Sequence, residues 1–293
     1  MAVTAAQVKE LRERTGAGMM ECKKALEATA GDMERAIEEL RKSGRAKADK
    51  KASRVAAEGM VIIRASTNGK QVVLLEINSE TDFVARDENF LAFADAVAKT
   101  ALAEKIHDVA LLASATLAGT HMTVDEARQA LIAKVGENIN IRRITLKDAN
   151  TTVGTYLHGN RIGVLVELDT ENPELAKDIA MHIAASKPVV IFPEEVPADI
   201  IAKEKAIYLA QAAGSGKPQD IIEKMVGGKL KKYLDEISLV GQPFIKDPDM
   251  LVVNLLNKHR AKVVSFARFE VGEGIEKEEE DFVGAVMAQV HGS

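Results

Sequence analysis

A short apolar stretch occurs twice in this chain. Val72-Val-Leu-Leu-Glu-Ile-Asn78 and Gly163-Val-Leu-Val-Glu-Leu-Asp169 match position by position, with Glu76 standing where Glu167 stands. Each reads as a strand, and each is followed by a helical pattern. After the first, Phe90, Phe93, Ala94, Val97 and Ala101 fall at helical spacing; after the second, Leu175, Ile179, His182 and Ile183 share a face. Such self-similarity is the sign of a repeated structural unit. Upstream of the first copy, Met60–Ala65 reads as a partner strand across Asn68-Gly69, a hairpin signal because both residues accept positive φ. His158-Gly159 sits near the same place in the second copy.

The two copies differ in length. Glu76 and Glu167 are offset by 91 positions, whereas Leu91 matched with Leu175 gives 84. The first copy therefore holds about seven extra residues, within Ser79–Glu88. A segment not needed to close the fold is a candidate for function. It contains Glu80-Thr-Asp-Phe-Val-Ala85. In one reading Phe83 is a wedge that buries against a partner, contributing roughly 1.5–3 kcal/mol, while Asp82 brings charge to a chosen place. In the other, Phe83 packs on its own domain's core and Asp82 caps a turn. On physics alone the second reading is preferred.

The flanks are helical. Val8, Leu11 and Arg12 begin a pattern that stops at Thr15–Gly18. A second helix, from about Met19 to Thr29, turns Cys22 and Leu26 inward, and Asp32 caps a third with Met33, Ala36, Ile37 and Leu40 on one face. Arg41–Arg54 carries seven cations. Without interleaved aromatics for base stacking it reads as a solvated helical linker rather than a nucleic-acid patch. Glu137–Leu146 alternates like a strand, with Ile139, Ile141 and Arg143 on one face. Asp199–Ala213 and Gln219–Leu234 read as antiparallel helices around Gly214–Pro218, with Tyr208, Leu209, Ile221, Ile222, Met225 and Val226 as their seam. Val263–Val271 reads as a strand, and Glu276–Asp281 as the acidic start of a terminal helix.

Composition narrows the function classes. A chain of 293 residues, 46% hydrophobic and 28% charged, is globular and divides into two or three units. Lys and Arg number 39 against 44 Asp and Glu, a net charge of −5 that argues against broad nucleic-acid binding. The lone cysteine, Cys22, forms no internal disulfide or cysteine metal cage and is read as a core residue. No apolar run reaches the roughly 20 residues of a membrane span, and the N-terminus has no leader pattern, so a cytoplasmic location is expected. No phosphate-binding GxxxxGK[ST] loop, GxGxxG, HExxH, CxxC or EF-hand loop occurs, and the six histidines show no close ligand spacing.

Several motifs together carry a resemblance. Leu11-Arg-Glu-Arg-Thr-Gly-Ala-Gly-Met-Met20, Thr81-Asp-Phe-Val-Ala85 and Gly136-Glu-Asn-Ile-Asn-Ile-Arg-Arg143 are the most specific. Cys22-Lys-Lys24, His158-Gly159, Met181-His-Ile-Ala-Ala-Ser-Lys-Pro188, Ser215-Gly-Lys-Pro218 and Gly241-Gln-Pro-Phe244 accompany them. The chain resembles the bacterial elongation factor Ts family essentially end to end.

The resemblance implies an α+β fold. A three-helix, ubiquitin-associated-like domain and basic linker would span 1–54. Two duplicated subdomains with antiparallel sheets would span 55–150 and 151–197 with 241–275. A protruding antiparallel coiled-coil hairpin would occupy 198–240, and a C-terminal helical module 276–293. It also implies a non-enzymatic exchange factor that binds the GDP form of elongation factor Tu. Thr81, Asp82, Phe83 and Val84 would reach the nucleotide-binding domain, with Phe83 inserted near the Mg²⁺ side of the pocket. Arg12, Met19, Met20 and Lys23 would grip the same domain, and Ile139 and His158 would lie elsewhere in the interface. No cofactor, bound metal, membrane or direct nucleic-acid partner is implied. The hairpin either dimerises, as in some relatives, or protrudes. Two other classes stay in view: an RNA- or ribosome-binding protein using Arg41–Arg54, and a hydrolase or transferase with a dispersed site.

Overall fold

The computed structural model describes residues 3–214 and 218–276. Its chain opens with helices α1 (Ala5–Thr15), α2 (Met19–Ala28) and α3 (Met33–Lys51). Strands β1 (Glu58–Ala65) and β2 (Gln71–Ser79) follow, then helices α4 (Asp82–Ala85), α5 (Glu88–Ala103), α6 (Val109–Ser114) and α7 (Val124–Val135). Strands β3 (Asn140–Asp148), β4 (Gly154–His158) and β5 (Ile162–Leu168) lead to α8 (Pro173–Ser186) and the long helices α9 (Ala198–Ala213) and α10 (Gln219–Ile237). The described chain closes with β6 (Pro243–Phe244), β7 (Asp247–Leu251), α11 (Val252–Lys258) and β8 (Val263–Glu270). Of the expected C-terminal helical module, only Glu276 falls among the described residues.

In the N-terminal helices, Thr4 and Gln7 form a reciprocal cap on α1 and Asp32 caps α3. Val8, Leu11, Cys22, Leu26 and Ala36 close a small core, so Cys22 packs as the sequence suggested. Helix α3 runs on without a break to Lys51, so the basic stretch is helical that far, as expected, but it is not simply solvated. Its Gly44 and Ala48 are buried, and Gly44 faces Gln129 and Ala133 of α7. The basic side chains are partly paired: Arg41 lies 3.2 Å from Glu126, Lys47 pairs with Glu21, and Lys51 donates to the Gly136 carbonyl.

Two three-stranded antiparallel sheets form the middle of the molecule, in the orders β1-β2-β3 and β4-β5-β8. The outer strands β3 and β8 are bulged at the same place, with Arg142 the extra residue opposite the Glu76–Ile77 step of β2 and Val264 the extra residue opposite the Glu167–Leu168 step of β5. Helix α5 covers one face of the first sheet and α8 one face of the second. The other faces meet through Val61, Val72, Leu74, Leu165 and Val271. Burial on both faces is why β2 reads as a nearly unbroken apolar run. Gly163 lies in this seam: a Cβ there would stand 2.5 Å from Val61 Cγ1 and 2.6 Å from Leu74 Cδ1.

Four expectations need adjustment. Leu91 is exposed whereas Leu175 is buried, so matching them misplaces the helices. The buried faces coincide when Phe93, Ala94, Val97, Ala98 and Ala101 stand for Leu175, Ala176, Ile179, Ala180 and Ile183, an offset of 175 − 93 = 82. Against the strand offset of 91, the first copy then holds nine extra residues rather than seven. The bulge opposite Glu76 takes Arg143 out of phase with Ile141, so Ile144 and Leu146 continue the apolar face. In the first hairpin only Gly69 has positive φ, at 69°, while Asn68 accepts the Lys70 N–H through its side chain. The second hairpin has the turn with two left-handed residues, Gly159 (54°) and Asn160 (56°). Finally, α9 and α10 pair through Ala212, Ile222 and Val226 with Tyr208 and Leu209, leaving Ile221 outside the seam.

The base of the helical pair is fixed by a buried histidine. The His182 Nε2–H donates to Gln242 Oε1 at 2.9 Å, while Nδ1 accepts the Ile245 N–H at 3.2 Å. Gln242 in turn donates to the carbonyls of Ser186 and Glu236, tying α8 to the end of α10. Among the described residues no helix is long and apolar enough to cross a membrane.

Candidate partner-binding site

The extra segment between β2 and α5 folds as α4, a single four-residue turn. The Thr81 hydroxyl caps it, accepting the Val84 N–H at 3.4 Å. Val84 and Ala85 face inward onto the first core. Phe83 points the other way and is 81% exposed. The preferred reading from the residues, that its ring packs on its own domain, is therefore overturned. The four positions of the turn cannot all face one core, and Val84 and Ala85 take the inner side. Nor is Asp82 the cap; it follows the cap and pairs with Arg86 at 2.9 Å, an exposed bridge of little energetic weight.

Two acidic residues pin this turn to the loop after α7. Thr81 donates twice to Glu137, its N–H to Oε2 at 3.0 Å and its hydroxyl to Oε1 at 2.7 Å. In the reverse direction the Asn138 N–H donates to Glu80 Oε1 at 2.6 Å. Bonds to an ionised carboxylate are the stronger kind. Gly136 makes the approach feasible: it ends α7 with φ 83°, a conformation that disfavours other residues. The same loop reaches the end of α3, because the Asn138 side chain donates to the Arg54 carbonyl at 2.8 Å.

The other expected positions stand on separate elements. Arg12, Met19, Met20 and Lys23 line one groove of about 380 Å³ between α1 and α2, together with Val3 and Val8. Met19 and Met20 are 60% and 62% exposed, and flexible thioethers suit an adaptable contact surface. His158 is exposed at the end of β4, stacked on Tyr156 with ring centroids 6.3 Å apart. Its hairpin is held to β1 by the Val61 N–H, which donates to the Asn160 carbonyl at 2.8 Å. Ile139 is different. It is fully buried in the first core, so its side chain offers no surface and supports packing instead. Among the described residues no group of three His, Cys, Asp or Glu side chains is placed to hold a metal ion.

Sequence reasoning missed Glu80 and Glu137 as a working pair. The signal was available, since Glu80 directly precedes Thr81 and Glu137 lies in the Gly136–Arg143 motif. Nothing local says that these two stretches meet.

A family model described as Elongation factor TS matches residues 80–273. The chain is similar to elongation factor Ts of Legionella pneumophila (strain Paris), 57% identical over 289 residues and covering 98% of each chain. It is 58% identical over 295 residues, covering 100% of each chain, to the elongation factor Ts of Thioalkalivibrio sulfidiphilus and to that of Methylococcus capsulatus.

Proposed function

The chain belongs to the elongation factor Ts family, and on that premise we propose that it is a guanine-nucleotide exchange factor of translation. It binds the GDP form of elongation factor Tu in the cytoplasm and speeds GDP release so that GTP can follow, with no covalent chemistry of its own.

The single observation that supports the mechanism is the outward ring of Phe83 on a pinned turn. In this reading Phe83 enters the nucleotide-binding domain of the GTPase, and Thr81, Asp82 and Val84 follow it to the surface. The displacement disturbs the groups that hold Mg²⁺ beside the diphosphate. That ion demands near-ideal octahedral geometry, so small movements weaken it. Arg12, Met19, Met20 and Lys23 supply a second grip, and His158 a third.

Energetics require more than one grip. If the factor weakens GDP binding, GDP weakens factor binding to the same degree. A hundredfold to ten-thousandfold effect needs about 2.7–5.5 kcal/mol of coupling. One buried Phe supplies roughly 1.5–3 kcal/mol. The remainder falls to the separated surfaces.

We read the chain as units at 1–54, 55–150, 151–197 with 241–275, and 198–240. The shared strand order and the matching bulges support treating the two sheet units as copies. For the helical pair, self-association and mere protrusion stand as two readings, and sedimentation over a concentration range separates them.

The test of the function is release of fluorescent GDP from purified elongation factor Tu. A catalytic amount of the chain should accelerate release many-fold. Release that is unchanged at saturating factor would contradict the assignment.

A further inference from the structure

We propose that Glu137 is the positioning residue for Phe83, an inference that rests on the wedge reading of that ring. A wedge works only if it is presented in one pose, and the exposed ring has little packing of its own to fix it. A helix of one turn is unfavourable by itself, because nucleation fixes several dihedrals for a single hydrogen bond. The pose is therefore set by what holds the turn at its two sides. Val84 and Ala85 anchor the inner side in the core. Thr81 anchors the start, and Glu137 holds Thr81.

The proton inventory explains why a carboxylate stands there. Thr81 presents two donors to Glu137, its N–H and its hydroxyl, so two acceptors are needed. With its only proton given to Glu137, the hydroxyl keeps its lone pairs for the Val84 N–H. Glu137 thus orients the cap as well as the backbone. An amide offers one acceptor and one donor in the same space and does half of this work. Glu137 is itself held: Asn138, its neighbour, donates to Glu80, the neighbour of Thr81. The crossed pair locks the two loops in register.

The experiment compares Glu137→Ala, Glu137→Gln and Phe83→Ala in the full chain, using GDP release from elongation factor Tu at varied substrate. Hydrogen exchange at the amides of Thr81, Val84 and Ala85, the bonded ones of this turn, and thermal melts accompany it. For Glu137→Ala we expect the maximal release rate to fall roughly tenfold, with KM within about twofold, as misplacement of a working group does. Glu137→Gln should fall in between, and amide exchange should quicken roughly tenfold in Glu137→Ala, consistent with loss of two charge-assisted bonds. If Glu137→Ala melts below the assay temperature, Glu137→Gln carries the comparison. A raised KM with an unchanged maximal rate would overturn the proposal, since it marks a contact residue. So would an unchanged rate in Glu137→Ala alongside a slowed Phe83→Ala, which spares the wedge reading. If Phe83→Ala releases GDP normally, the wedge reading is what fails. Amide exchange then decides the positioning separately, with quickened exchange upholding it and unchanged exchange overturning it.

Discussion

The Glu76 carboxylate accepts the backbone N–H of Gly272 at 2.8 Å, joining residues 196 positions apart. Glu76 is fully buried on β2, and Asn78, Arg142 and Arg143 also donate to it. It fastens the first sheet to the end of the strand that completes the second.

Removing this hub should be costly. Burial alone would raise the carboxyl's pKa, but the Gly272 N–H, the Asn78 amide and Arg143 outweigh it and hold it below the ordinary carboxylate range. A lowered folded-state pKa contributes stability above the unfolded value of about 4.3, lost as pH falls through the folded value. We expect Glu76→Ala to lose about 3 kcal/mol in urea unfolding at pH 7, because two arginines and a backbone N–H lose their partner. Its stability should also fall less steeply than the wild type's below about pH 4. A loss under about 1 kcal/mol would mean that solvent replaces the carboxylate.

His182 sets a second pH window. Burial pushes its imidazole below the ordinary value, and the Gln242 bond offsets this only in part. The unfolded chain then takes up the proton first, so stability is complete above about pH 6.5 and declines as pH falls through that value. Protonating Nδ1 would also set it against the Ile245 N–H. Thermal melts should show a drop between pH 7.5 and 5.5 that is much smaller in His182→Gln, although that variant is less stable at pH 7.5. Equal drops in both proteins would remove His182 as the cause.

What the sequence could and could not reveal follows from the range of each interaction. The α5 face was legible because Phe90, Phe93, Ala94, Val97 and Ala101 repeat at helical spacing, and all are buried. Matching Leu91 with Leu175 failed because residue identity says nothing of phase. Arg143 slipped because β3 holds one extra residue, Arg142, which breaks the alternation, and nothing in the local sequence marks it as a bulge. The exposure of Phe83 contradicts the ordinary preference of a large ring, and such departures are expected at working sites. The Glu137–Thr81 clamp joins residues 56 positions apart and was out of reach of any local pattern. Ile139 came through family resemblance alone, and its burial separates a motif residue from a contacting one.

The groove between α1 and α2 should govern affinity rather than release. Met19 and Met20 are largely solvent-exposed, so changing both to Ala should leave the melting temperature within about 2 °C, as surface substitutions generally do. Each thioether buried on binding contributes on the order of 1 kcal/mol, so Kd for nucleotide-free elongation factor Tu should rise roughly tenfold or more. Calorimetric titration measures this directly, and an unchanged Kd would remove the groove from the interface.

The wedge itself is most directly tested by stopped-flow release of fluorescent GDP from elongation factor Tu with wild type and Phe83→Ala, at saturating factor. Since the ring is exposed in the free protein, the substitution should leave the fold intact. The expected result is a maximal release rate lowered roughly tenfold or more, with Kd for the nucleotide-free GTPase changed far less. A release rate equal to the wild type's at saturation would contradict the claim that this ring drives the nucleotide out.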